Sequence, residues 1–284
     1  MKNIKTYILA LGLLLTIMGC EETITIDSPE TENKVVIEGL VTNVQGQSYV
    51  KVSRNRSFYD EGSTDRITNA QVAITTSGGE QVVLVHNPSG EAESEGFYYP
   101  NANFAGAIGS TYTLNVEVDG TTYSATDELL PVTQIDSLTV KVDPDEFEDP
   151  EEPGRFLAVF FFAKEPQDRE DYYLFKFYRN DELVLDWPTD IYVFDDETLG
   201  ESIDDIEIAG YYQEGERAKV EMYSLSREGF IFYSDLNNLI NNDGGMFSPP
   251  PANPRNNLSN GALGFFQASA VASLEITVTP PDEE

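Results

Sequence analysis

Apolar residues recur at every second position through much of this chain, and that period limits its fold more than any other feature. Tyr112, Leu114, Val116 and Val118 alternate with Thr113, Asn115 and Glu117, Val50 and Val52 flank Lys51, and Val72 and Ile74 flank Ala73. Successive side chains of a strand point to opposite faces, so each run predicts a strand with one face on a core and one on solvent. Turn signals separate the runs: Ser77-Gly78-Gly79 before residues 81–85, Asn87-Pro88-Ser89-Gly90 after them, and Asp119-Gly120 between 112–118 and 122–126. Asp-Gly between two alternating runs predicts a hairpin, because glycine supplies the positive φ of the tight turn. Short strands at this spacing, with no long helical pattern, predict an immunoglobulin-like or prealbumin-like β-sandwich over residues 33–133.

Pro131 closes that region, and Ile135, Leu138, Val140 and Val142 open a second β-rich domain over residues 134–284. The acidic, proline-broken stretch Asp143 to Gly154 predicts a loop without regular structure. Residues 155–163, nearly all apolar, and 171–179, aromatic on both faces, predict strands buried on both faces, and Ala218, Val220 and Met222 mark a further strand. One short helix is expected from about Glu228 to Asn241, where Phe232, Leu236, Leu239 and Ile240 share a face, with Gly244 and Gly245 stopping it. The predicted class is therefore all-β: the N-terminal sandwich, then a second β-rich domain with one short helix.

Charge excludes whole function classes. Against 50 Asp and Glu stand 17 Lys and Arg, a formal charge of −33. Such a chain repels nucleic-acid phosphates, so no nucleic-acid partner is expected. One Cys and one His provide no internal disulfide, no Cys/His zinc site and few nucleophilic triads. Carboxylates, hydroxyls and tyrosines remain; paired carboxylates can hydrolyse glycosides, but 50 acids single out no pair. With no nucleophile motif, metal motif or phosphate loop, no enzymatic activity is expected. His86, just before Asn87-Pro88, reads as a turn residue.

The N-terminus carries an address. Lys2 and Lys5 precede an apolar stretch from Tyr7 to Ile17, of signal-peptide length and short for a bilayer span. It ends in Ile17-Met18-Gly19-Cys20, which resembles a bacterial lipobox, although Met18 stands where Ala or Ser is usual. The only Cys of the chain falls there. Residues 1–19 therefore read as a signal peptide, Cys20 as the site of lipidation (palmitate among its acyl chains), and residues 20–32 as a lipidated tether. Several acyl chains give stable anchoring, at about 0.8 kcal/mol per buried methylene. Glu21 and Glu22 resemble the signal that takes lipoproteins of the Bacteroidetes to the cell surface.

The remaining candidates are binding features. The acidic clusters Asp143 to Glu152 and Asp195 to Glu207 lack EF-hand spacing and read as solvated loops, with weak surface Ca²⁺ binding their only metal role; no other cofactor is expected. Exposed aromatic rings can stack on sugars, with Trp187, Tyr98-Tyr99 and Tyr211-Tyr212 as candidates, although Tyr and Phe also fill β-sheet cores. Pro249, Pro250 and Pro251 form a stiff polyproline segment, either a recognition ridge or a rigid loop. Arg255 and Asn253, Asn256 and Asn257 would fix that loop by bonding backbone carbonyls and capping turns.

The P-P-P-A-N-P-R-N-N run (249–257), the following G-A-L-G-F-F-Q-A-S strand (261–269) and the closing strand at 274–278 resemble a Bacteroidetes outer-membrane lipoprotein family, domain of unknown function 4249. K-V-V-I-E-G-L-V-T (34–42) is similar to that family's opening strand, and Gln134-Ile135-Asp136-Ser137 to its inter-domain junction. The resemblance covers essentially the whole mature chain and brings no catalytic residues with it. It implies a TonB-dependent outer-membrane receptor as partner. The expected protein is a lipid-anchored, cell-surface-facing outer-membrane lipoprotein, a non-enzymatic accessory or substrate-capture subunit of a TonB-dependent transporter. The alternatives are a free-standing glycan-binding module and a structural envelope or adhesion lipoprotein.

Overall fold

The alternating runs become strands in the computed structural model, which describes residues 33–56, 64–199, 202–242 and 252–281. Cys20 and its tether, Gly244, Gly245 and Pro249, Pro250 and Pro251 lie outside the described residues. The first seven strands are β1 (Val35–Thr42), β2 (Tyr49–Arg54), β3 (Gln71–Thr76), β4 (Gln81–His86), β5 (Phe97–Pro100), β6 (Thr111–Val118) and β7 (Thr121–Glu128). Asp119 and Gly120 join β6 to β7 at φ 51° and 78°, the double positive φ of a tight hairpin turn. Val50, Val52, Ile74, Leu114 and Val116 are wholly buried, as their alternation predicts.

The second region supplies β8 (Ile135–Val142), α1 (Pro144–Glu148), β9 (Leu157–Lys164), β10 (Tyr172–Arg179), β11 (Glu182–Val184), β12 (Tyr192–Asp195), α2 (Asp196–Leu199), β13 (Ser202–Glu207), β14 (Arg217–Leu225) and α3 (Arg227–Ile240). The chain ends with β15 (Leu263–Ser269) and β16 (Val271–Thr277). Strands β13, β9 and β8 form one sheet, and β11, β10, β14 and β16 a second, with β12 also paired to β10. The two enclose one core, in which the Phe161 ring of β9 lies 5.2 Å from Phe175 of β10. The molecule is all-β in class.

Strand β15 departs from the domain boundary read at 133/134. It runs parallel to β1, from Val36 opposite Leu263 to Thr42 opposite Ser269, and becomes the first strand of an eight-stranded sheet ordered β15-β1-β2-β5-β4-β3-β6-β7. All eight strands feed one core, and the sheet's two ends meet, with Leu130 bridged to Ser269 beyond β7. Packed layers thus belong to one rolled sheet. Side chains of residues 256–260 sew the seam. The Asn257 amide donates to Phe266 O (2.8 Å) and accepts from Phe266 N (3.1 Å), while Ser124 and Ser259 exchange bonds of 2.8 and 2.9 Å. Asp127 of β7, buried, accepts from Ala268 N at 2.8 Å. One residue later the chain enters the other sheet as β16, so a nearly continuous strand ties the two together.

A second correction concerns Asp143 to Gly154. Its first part is helix α1, because Asp143 caps Asp145 N (2.9 Å) and Glu146 N (3.1 Å), Pro144 stands where no backbone donor is needed, and acids fill the first turn. Helix α3 starts on a Ser226 cap to Gly229 N (3.1 Å) and ends at Asn241, before the two glycines. No helix of the described residues is long and apolar enough to cross a membrane.

Candidate functional site

The outer face of β10 is not solvated, which is why its sequence lacks alternation. Tyr173, Phe175 and Phe177 enter the core between the two sheets, whereas Leu174 on the other face meets Leu40, Tyr223, Leu225 and Val271 in a third cluster. Strand β1 and helix α3 cover that face, with Phe230 of α3 4.9 Å from Tyr172. The cover is incomplete. A cleft of about 380 Å³ opens where β1, β15, β10, the loop before β12 and α3 converge.

Its walls are apolar: Val36, Leu40, Leu174, Phe232, Leu236 and Phe265, with Phe232 stacked on Phe265 at 4.9 Å. Eight polar side chains, Glu38, Tyr49, Lys176, Asp190, Tyr192, Tyr223, Tyr233 and Gln267, also face it. Most are committed to one another. Tyr49 donates to Glu38 at 2.5 Å, with Lys51 3.4 Å from the same carboxylate. Tyr233 donates to Gln267 Oε1 at 2.6 Å, and Gln267 to Ser269 Oγ at 2.6 Å. Tyr223 donates to Glu221 at 2.7 Å, and the buried Glu221 also accepts from Tyr178 (3.0 Å) and Lys219 (2.9 Å). Burial first, then the neighbouring carboxylates, pushes the phenols of Tyr49 and Tyr223 well above the ordinary tyrosine range, so both stay neutral donors. Burial works against ionised Glu221, but Lys219 and the two phenols outweigh it and hold the carboxyl below its ordinary range.

Lys176 differs from these groups. Its ammonium lies 4.8 Å from the centre of the Tyr223 ring and forms no hydrogen bond or ion pair among the described residues. Burial lowers its pKa, opposed by Glu221 and Glu38 at longer range. This lysine, with Tyr49, Tyr233 and Glu38, is absent from the sequence-derived candidates. Its signal was a single cation within an otherwise aromatic and aliphatic run, Tyr172 to Tyr178.

The predicted site residues do not converge. Trp187 is 71% exposed, on the loop that supplies Asp190 and Ile191 to the cleft. Tyr212 is wholly buried, between the sheets, so it is a core residue and offers no ring to a ligand. Tyr98 is likewise buried, donating to Ile67 O (2.9 Å) and accepting from Ala70 N (2.9 Å). Tyr211 is half-buried, its hydroxyl pushed up to about 12 by burial and then by surrounding acids, Asp143 and Glu207 foremost. Arg255 does not bond backbone carbonyls: its guanidinium forks onto Asp235 of α3 at 2.7 and 2.8 Å, tying the returning chain to the helix. His86 accepts from Gly96 N at 3.0 Å and packs 5.2 Å from Tyr98, joining β4 to β5.

A second acidic cluster lies where β9 leaves and β10 begins. The Tyr173 hydroxyl donates to Glu165 Oε1 (2.9 Å) and lies 3.2 Å from Asp171 Oδ2, and Arg169 pairs with Asp171 at 2.7 Å. Glu165 Oε2 is buried with no hydrogen-bond partner among the described residues, and burial raises this carboxyl to about 7. No group of three or more His, Cys, Asp or Glu among the described residues is placed to hold a metal ion.

The geometry defines a class: an all-β protein with an amphipathic cleft between two sheets and a helix. Residues 21–275 match the family model described as Domain of unknown function (DUF4249), and the chain belongs to that family. A comparison with curated proteins returns no match.

Proposed function

We propose that this chain is a Bacteroidetes outer-membrane lipoprotein, anchored through Cys20 with its body facing the cell exterior. It acts as a non-enzymatic accessory, or substrate-capture, subunit of a TonB-dependent transporter. The observation that carries this reading is the junction cleft of about 380 Å³, apolar-walled with convergent polar groups, the form and size of a small-ligand site. The lipobox adds location. Between Cys20 and Val36, which lines the cleft, the chain reaches at most about 55 Å, so captured material stays close to the membrane. Tethering also raises the effective concentration of a membrane partner without new contacts. Affinity purification of the lipidated protein from outer membranes, followed by mass spectrometry, tests the reading. It predicts a TonB-dependent barrel in stoichiometric amount; recovery of the abundant lipoprotein alone sinks it.

A specific observation favours glycan binding as a second reading. On the outer face of the rolled sheet, Tyr49, Phe97 and Tyr99 form a row with ring centres 5.6 and 6.2 Å apart, beside exposed Val83 and Val85. Rings so spaced can stack on successive sugars. Polysaccharide retention that is lost on Phe97→Ala and Tyr99→Ala, and unaffected by Lys176→Met, would favour it.

A further inference from the structure

We propose that the junction cleft takes a small apolar molecule bearing one anionic group, a carboxylate or its equivalent, which pairs with the ammonium of Lys176. The inference rests on the reading of the cleft as the capture site and names the chemistry of what is captured. Three facts carry it. The walls are aliphatic and aromatic, so the body of the ligand is apolar. The two carboxylates at the cleft are already satisfied: Glu38 by Tyr49 and Lys51, and Asp190 by Tyr192 (3.2 Å) and the Trp187 amide (2.8 Å). Lys176 has no such partner among the described residues, and a half-buried cation lying over a ring gains most from an anion that arrives with the ligand.

Charge distribution sharpens the point. The chain has only 17 basic residues against 50 acids, yet Lys51, Lys176 and Lys219 gather around this one region. Elsewhere the acidic surface disfavours anions; here three lysines stand against Glu38, Glu221, Asp190 and Asp186, the last bonded to Tyr192 of the cleft wall, so an anion meets far weaker repulsion than over the rest of the chain. Lys219 is held by Glu221 and Lys51 by Glu38, which leaves Lys176 as the group free to bind.

The test uses the full chain carrying Cys20→Ser, which removes the lipid that would compete. Decanoate, decanol and decyltrimethylammonium, with matched tails and different heads, are titrated calorimetrically at pH 8 below their micellar concentrations. Decanoate is expected to bind at least tenfold more tightly than decanol, and the cation not to bind. Lys176→Met should bring decanoate down to the affinity of decanol, and Lys176→Arg should restore the preference. Leu236→Trp, which fills the cleft, should abolish both, and thermal melts of each variant confirm that it is folded. Equal affinity for decanoate and decanol in the parent chain overturns the anionic head group while leaving the cleft as a capture site. Absence of binding by all three overturns the inference; recovery of the barrel partner from membranes reports separately on the accessory role.

Discussion

The rolled sheet and the second sheet pair solve burial differently. Strands β2, β3 and β6 show one face to the core and the other outward, and their sequences alternate accordingly. Strands β10 and β14 are covered on both sides, by their own core and by β1 and α3, so β10 carries aromatic residues on both faces and β14 is buried on both from Val220 to Leu225, without the alternation seen elsewhere. The second kind of surface has to bury polar atoms as well, and it does so through tyrosine–carboxylate bonding around Glu221 and Glu165. The cleft that holds Lys176 thus arises on the doubly covered sheet.

The sharpest way to break this contrast is at the strand the two regions share. Gly264 sits at φ 101°, and a β-carbon there would approach Ile37 O to 2.1 Å. Gly264→Ala should therefore unseat β15 from β1 and cost about 3 kcal/mol or more by denaturant unfolding, in a single transition if the strand couples both regions. Separate transitions would show that the two regions are independent. Next comes Glu221→Ala, which strands two buried phenols and Lys219. It should cost about 2–4 kcal/mol, against less than 1 kcal/mol for an exposed charge such as Glu117→Ala. The charge of Glu221 stabilises the fold above its unfolded-state pKa, and that contribution is lost as pH falls through the lower folded-state value.

The seam of the rolled sheet offers a smaller effect: Asn257→Ala removes two bonds to Phe266 and should cost about 1–2 kcal/mol. Smaller still, and opposite in sign, is Glu165→Gln. Burial raises this carboxyl from 4.5 to about 7, so the folded state holds a proton that the unfolded chain releases between those values. Stability from this group is full below about pH 4.5 and falls as pH rises towards 7. Glu165→Gln should therefore raise the melting temperature at pH 8 by a few degrees, roughly 1 kcal/mol, and change little at pH 4.5. A melt that shifts equally at both pH values would contradict the buried, partnerless oxygen as the cause.

The same contrast explains what was legible in the sequence. The alternation at 112–118 and the Asp119-Gly120 turn gave their strands and hairpin almost residue by residue, because local periodicity and turn chemistry decide them. The parallel β1–β15 pairing was not legible: its partners lie more than two hundred residues apart, and no local pattern encodes which sheet a terminal strand joins. Helix α3 was legible in extent but not in use. Phe232 and Leu236 reach the cleft, while Ile240, on the same predicted stripe, is 42% exposed because the helix roofs an opening and does not seal a core. Of the proposed contacts, Trp187 and Tyr212 were alike as aromatic letters, yet one lies on a surface loop and the other between sheets. Exposure is a tertiary property, and the sequence carried no mark of it.

If the junction cleft is the capture site proposed above, hydrogen–deuterium exchange of the full Cys20→Ser chain with and without decanoate should show slowed exchange in β1, in the loop at 185–191 and in α3, with β3 and β4 unchanged. Protection confined to the outer face of β4 and β5, or none in the cleft-lining segments, would contradict it.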